Sequence, residues 1–420
     1  MTNWKIKLSL FLNYFVFAIL LNSVGTVILQ VQTTYGVDES SASILEAFKD
    51  LSIAAVSFLV ASYITRIGYK NAMLIALGLV AIACSFMPSL GSFVMTKALF
   101  AVTGTSFALI KVSVYATIGL VTTNKKEHAS FMNFIESFFM IGILSGYFIF
   151  SGFIDNANPQ SGNWLSVYYV LSGISTVAFI LLLSSPLDES SVKHEESKSM
   201  LSDFQDMIKL ALVPLVLVFI VSAFIYVLIE QSIMSWLPTF NSKVLNLPAT
   251  LSIQMASILA ASTAIGRFTA GIVLRKIHWF WVLTICLTFA ALLVLVALPL
   301  VKNNSGQEIT GWGNAPLGAF IFPLIGFLLA PIYPAINSVI LSSLPKHQHG
   351  PMSGLIVIFS ALGGTTGSII TGNIFEAYGG QTAFYFSLVP IGVLLIALTL
   401  FNRLQKKTDS IVTVTPTGHH

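Results

Sequence analysis

Charge is scarce in this chain. Of 420 residues only 9% are Asp, Glu, Lys or Arg, while 55% are hydrophobic, and mean hydropathy is +0.85. A soluble domain of this length covers itself with far more charge, so the composition points to a polytopic membrane protein. Cysteine is scarce too. Cys84 and Cys286 both fall inside apolar stretches and read as packing residues, which leaves no disulfide framework and no cysteine-based metal site. No nucleotide loop is present: the run Gly363-Gly-Thr-Thr-Gly367 lies within an apolar span, where small residues serve helix packing. An acid–base–nucleophile constellation is likewise missing. The chain is therefore expected not to be an enzyme, to need no cofactor or metal, and to bind no nucleic acid. The apolar run from Leu8 is too long for a signal peptide and lacks a small-residue cleavage pattern.

What is there is hydrophobic length. Windows of about 20 residues place twelve spans near 8–34, 41–65, 71–90, 94–121, 129–153, 163–185, 210–237, 249–274, 278–301, 315–343, 351–375 and 380–402. Basic residues set the orientation. With the termini inside, fifteen of the 21 Lys and Arg fall on the cytoplasmic side (Lys5, Arg66, Lys125, Arg275 and Arg403 among them), and Lys97, Lys243 and Lys302 fall outside. The hydrophilic stretch 186–209 reads as a cytoplasmic linker between an N-terminal bundle (1–185) and a C-terminal bundle (210–407). A disordered tail is expected over 408–420. Shifting the chain by 221 residues lays Lys125 on Lys346, His128 on His349, Gly142 on Gly363 and Gly146 on Gly367. The expected fold is thus all-α, twelve transmembrane helices in two pseudo-symmetric six-helix bundles, with a solute site at the midplane between them.

Against this apolar background, Glu46, Lys49 and Asp50 in the second span stand out. A charge at the bilayer centre costs roughly 2.5–3.5 kcal/mol on insertion scales, so three together imply a cavity or a partner helix. Glu46 and Asp50 lie one helical turn apart on one face, roughly 8 and 14 Å into the span. Lys111 in the fourth span reaches a similar depth. The expectation is a carboxylate–ammonium network between these helices, with Asp50, Glu46 and Glu136 as proton-coupling acids. Lys49 could pair with Glu46 or snorkel outward. Substrate contacts are expected from Lys111, Asn133, Tyr115, Gln231, Gln254 and Asn337; amides both donate and accept, which suits a polyhydroxylated ligand. Glu230 is open between an outer-gate role and interfacial solvation. Arg267 reads as structural, Trp236 as a cavity wall, and Pro331 and Pro334 as a helix break.

Three stretches carry a family resemblance: Gly266-Arg-Phe-Thr-Ala-Gly271 followed by Arg275-Lys276, Pro331-Ile-Tyr-Pro-Ala-Ile-Asn337, and Gly354-Leu-Ile-Val-Ile-Phe-Ser-Ala-Leu-Gly-Gly364. They resemble the major facilitator superfamily, and within it the fucose permease (fucose:proton symporter) branch. The superfamily's loop motif after the second helix survives only as Thr65-Arg-Ile-Gly-Tyr-Lys70, without its acid. The resemblance implies a monomeric secondary carrier of a bacterial-type inner membrane, working by rocker-switch alternating access on a proton gradient. It also implies a sugar-like solute, and polar positions on Asn133, Glu136, Gln231 and Gln254. The chain departs from the branch where acids are expected: Leu21-Asn-Ser-Val-Gly25 in the first helix has none, and the fourth-helix position falls on Lys111. Lys111 suggests a solute with an anionic group, an acidic or N-acylated sugar. The alternative is a proton-driven exporter of drugs or metabolites.

Overall fold

A computed structural model describes residues 4–122, 125–187, 189, 200–300, 309–345 and 348–414. Those residues are helical and loop only. Twelve crossing helices follow in order: α1 (Trp4–Asn22 and Val24–Tyr35), α2 (Glu39–Ile67), α3 (Tyr69–Phe86), α4 (Phe93–Val121), α5 (Lys125–Ser151) and α6 (Val167–Leu183); then α7 (Pro214–Met234 and Leu237–Lys243), α8 (Ala249–Val273), α9 (Trp279–Ala297), α10 (Gly318–Ile321 through Ile332–Ser342), α11 (His349–Tyr378) and α12 (Gly380–Tyr385 and Leu388–Val414). Eleven of these segments are long and apolar enough to cross a membrane. The other is α2, whose 29 residues extend about 44 Å at 1.5 Å per residue.

Small residues set the spacing within each bundle. On α5, Gly142 faces Phe15 and Ala18 of α1, and Gly146 faces Ile19; on α11, Gly363 faces Phe224 of α7 and Gly367 faces Leu228. The glycine pair and its partner pair are each four residues apart in both halves, so the repeat read from Lys125/Lys346 extends to the packing. At Gly142, Gly363 and Gly367 a Cβ would run into partner backbone, which is why a small residue is needed there. Outside, large apolar side chains such as Ile82, Ile180, Phe289 and Ile396 are exposed, as a lipid face requires.

Four spans are interrupted, α12 among them at Phe386–Ser387. The Pro331–Pro334 region breaks α10 as expected, since proline removes a donor and clashes with the preceding turn. The breaks in α1 at Ser23 and in α7 at Ser235–Trp236 were not foreseen. They touch: a Cβ on Gly25 would stand 2.7 Å from the Ser235 carbonyl oxygen. The linker expected over 186–209 is helical from Met200 to Ala211, with Met207 and Leu210 buried and Met207 set against Gly354 of α11. The final helix continues to Val414, past residue 408 where a disordered tail was expected; 415–420 lie outside the described residues.

Between bundles, α2 packs lengthwise on α11, and α5 on α8. The polar contacts of this seam collect on the side opposite the termini. Lys243 pairs with Glu39 at 2.5 Å, and the Ser40 N–H donates to Glu376 Oε2 at 3.1 Å. Ser368 Oγ donates to the Ser43 carbonyl at 3.3 Å, and Thr250 Oγ1 to Asn156 Oδ1 at 3.0 Å. The molecule is closed on that side.

Candidate solute cavity

The charged cluster belongs to α2 alone. Lys49 Nζ forms an ion pair with Glu46 Oε1 and lies 3.4 Å from Asp50 Oδ1. It also reaches the Leu21 carbonyl at 3.5 Å. That oxygen is near the C-terminus of the first α1 segment, where helix carbonyls lose their partners and favour a cation. Glu46 is completely buried, and its Oε2 accepts a hydrogen bond from the Ser235 hydroxyl of α7 at 2.8 Å. Glycines allow this burial: Gly104 of α4 lies against the Lys49 carbonyl, and Gly364 of α11 against the Asp50 carboxylate. An isolated charge at this depth would cost several kcal/mol, and each of the three has a partner instead.

Asp50 and Lys49 form part of the wall of a cavity of about 340 Å³ between the bundles. Lys111, Gln231, Glu230 and Asn22 share that wall, with Tyr333 and Ser360 on the C-terminal side. The Tyr333 hydroxyl and Ser360 Oγ are 2.8 Å apart, and the Tyr333 ring stacks on Tyr226 at 5.6 Å. Tyr226 in turn donates to Glu230 at 2.8 Å, and Arg267 comes within 3.9 Å of the same carboxylate. A smaller chamber of about 140 Å³ adjoins, lined in part by Arg267 and sharing Asn22, Phe139, Glu230 and Gln231 with the first.

The structure redistributes the expected roles. Lys111 lines the cavity with Asp50, but the expected α2–α4 pairing is not formed: Asp50's cationic partner is Lys49, and among the described residues Lys111 has no carboxylate within 4.0 Å. Lys49 is three residues from Glu46 on the same helix and needs no partner from α4. Glu46, expected as a proton-coupling acid, is held inside the seam with α7. Glu136 accepts from the Tyr115 hydroxyl at 2.6 Å and is exposed, with neither residue on the wall of either chamber.

Gln231 touches both chambers. Gln254 touches neither: it donates to Ser151 Oγ at 3.2 Å and accepts from Trp312 at 3.1 Å, fastening the closed side. Asn337 lies one turn beyond Tyr333 and off both walls. Trp236 is fully buried and donates to Ser368, so it belongs to the α7–α11 seam and not to a cavity wall. The Asn133 side chain lies outside the described residues. Arg267, read as structural, is a chamber residue, and Glu230 is its counter-charge. Sequence reasoning also passed over Ser235. Pro238 just after it, at a helix start, was the available signal of a break.

Comparison with known proteins agrees with this architecture. The sequence profile described as "Major Facilitator Superfamily" matches residues 10–368. The protein described as "Protein TsgA homolog" from Buchnera aphidicola subsp. Acyrthosiphon pisum (strain Tuc7) is 21% identical over 250 residues. That match spans 59% of this chain and 58% of the relative's length. Among solved structures, the nucleoside transporter NupG superposes with a TM-score of 0.71 at 16% identity, covering 96% of this chain and 100% of that one. FucP, the E. coli fucose:proton symporter, superposes in its outward conformation at 0.61 and 14% identity, covering 95% of this chain and 99% of that one. A cavity between two six-helix bundles, closed on one face, is the architecture of a transporter and not of an enzyme, and the chain belongs to the Major Facilitator Superfamily.

Proposed function

We propose that this protein is a proton-coupled symporter that imports a small hydrophilic solute, a sugar or an acidic or N-acylated sugar derivative, by alternating access. The observation that carries the reading is the position of Asp50. It is the one acid of the Glu46–Lys49–Asp50 cluster on the cavity wall, and it shares that wall with Lys111. A carboxylate there can exchange its proton with water when the cavity opens, whereas Glu46 is enclosed by Lys49 and Ser235. Gln231, Asn22, Tyr333 and Ser360 supply the donors and acceptors that a hydroxylated solute needs. Lys111 supplies a cation for an anionic group. FucP, a proton symporter by description, has the same fold, which supports a sugar-type solute.

The positive-inside distribution puts both termini in the cytoplasm of a bacterial-type inner membrane, and the carrier acts as a monomer. In this orientation the closed face is the outer one, and the cavity would discharge inward. Proteoliposomes loaded with a pH-sensitive dye test the reading with neutral sugars, amino sugars and sugar acids. Solute-dependent acidification that disappears in Asp50→Asn is expected. Uptake indifferent to pH, with Asp50→Asn still active, would make the cluster a fixed structural ion network. Equal uptake of neutral and carboxylated sugars would remove the role given to Lys111.

A further inference from the structure

The two chambers differ in chemistry. The larger carries Lys49, Asp50, Lys111 and the Tyr333–Ser360 pair. The smaller, about 140 Å³, is walled largely by Met140, Ile143, Met234, Leu259 and Leu329. Its polar lining includes Thr263, which donates its hydroxyl hydrogen to the Leu259 carbonyl at 2.8 Å, and the charged groups of Arg267 and Glu230, which face one another at 3.9 Å on the rim. At the waist, Asn22 donates one amide N–H to the Ala18 carbonyl at 2.8 Å and keeps its second N–H as a donor and its Oδ1 as an acceptor. Gln231 Oε1 lies 3.2 Å from the Ser235 hydroxyl, which leaves its amide nitrogen as a donor. The Phe139 ring borders both chambers. An apolar cavity of about 150 Å³ is the size that accommodates one benzene ring.

We propose that the cavity recognises a two-part solute: a hydroxylated or anionic head in the larger chamber, and a single planar ring in the smaller one. The class is a glycoside with a one-ring aglycone, and the Asn22–Gln231 waist meets the polar edge where the two parts join. A free sugar fills only the head site and leaves an apolar pocket to water. A ring-bearing solute removes that apolar surface from water and gains affinity in proportion to the area covered. This inference rests on the reading of a hydroxylated solute.

Binding to the full-length protein in nanodiscs tests it, with three head series (a pentose, an N-acetylamino sugar and a uronic acid), each as methyl, phenyl and 2-naphthyl glycoside. In the series that binds, the phenyl form is expected to bind about tenfold or more tighter than the methyl form, with the gain lost for the naphthyl form. Ala260→Leu, which narrows the smaller chamber, abolishes the phenyl gain; Leu259→Ala, which widens it, moves the optimum to the naphthyl form. Opposite shifts from two variants are not a consequence of misfolding. Methyl and phenyl forms bound equally, or a phenyl gain unchanged in both variants as bilayer partitioning would give, overturns the inference and leaves the transport reading standing. No binding in any series overturns the hydroxylated-solute reading, and the inference with it.

Discussion

The Ser235 hydroxyl of α7 stands 2.8 Å from Glu46 Oε2 on α2 and 3.2 Å from Gln231 Oε1 in its own helix. One hydroxyl has one hydrogen, so it serves one acceptor at a time, and a carboxylate is the stronger. Glu46 Oε2 therefore takes the hydrogen, and Gln231, which lines both chambers, receives it only when that bond opens. Ser235→Ala, which leaves the buried Glu46 Oε2 without its donor from α7, is expected to lower thermal stability, and Ser235→Thr to keep it. A hydrogen bond to a charged group contributes about 1.5–3 kcal/mol, roughly a tenfold effect or more. Melting temperatures of the three proteins in detergent check this; an unchanged value in Ser235→Ala would remove the stabilising role given to this bond.

On the closed face, the Lys243–Glu39 pair is partly exposed, with Lys243 at 42%. Exposed pairs contribute about 0.2–1 kcal/mol and are screened by salt. Lys243→Gln is expected to raise the population open on that face only a few-fold, with the difference shrinking in high salt. Spin labels at the exposed positions Asn158→Cys and Tyr378→Cys would report the distance distribution.

Gly25→Ala should act more strongly. Its Cβ would meet the Ser235 and Met234 carbonyl oxygens at 2.7 and 3.0 Å, both fixed backbone atoms at the junction of two broken helices. Overpacking of this kind costs about 1–3 kcal/mol, charged to the closed arrangement. Ser43, buried beneath the closed seam, offers a readout. In Ser43→Cys, labelling by an impermeant maleimide should accelerate about tenfold when Gly25→Ala is added.

Asp38 caps α2 outside the membrane by accepting from the Ser41 N–H at 2.6 Å. The Ser41 side-chain and backbone hydrogen bonds hold its carboxyl below the usual value of 3.8. A depressed folded-state value means that the cap's contribution is complete above that ordinary value and is lost as pH falls through the lower one. Protection of the Ser41 amide against hydrogen exchange should be lost in Asp38→Ala at pH 7 and kept in Asp38→Asn.

The sequence made the twelve crossings, the repeat and the charged cluster legible because length, small-residue spacing and buried charge are local properties. Placement across the seam was not. Asp50 and Gln231 reach the cavity as expected, yet Gln254, an equally plausible amide, fastens the closed face instead. Which amide faces solute depends on where α5 meets α8, a contact that no periodicity encodes. Lys49 and Lys111 presented the same ambiguity: the pairing with Glu46 is three residues away on one helix, while a pairing with α4 needed a tertiary register. The partner of Arg267 was not legible either, because Glu230 lies on another helix and comes within 3.9 Å only in the folded bundle.

The composition of the α2 cluster also has an electrical consequence. Glu46, Lys49 and Asp50 carry two negative charges and one positive. Without a proton the cluster therefore bears one unit of negative charge. With a proton bound it is neutral. Moving one elementary charge through the full membrane potential involves about 2.3 kcal/mol per 100 mV. If Asp50 carries the coupled proton as proposed, voltage acts on the empty, deprotonated carrier and leaves a protonated carrier holding a neutral solute untouched, whereas an anionic solute restores one negative charge to the loaded form.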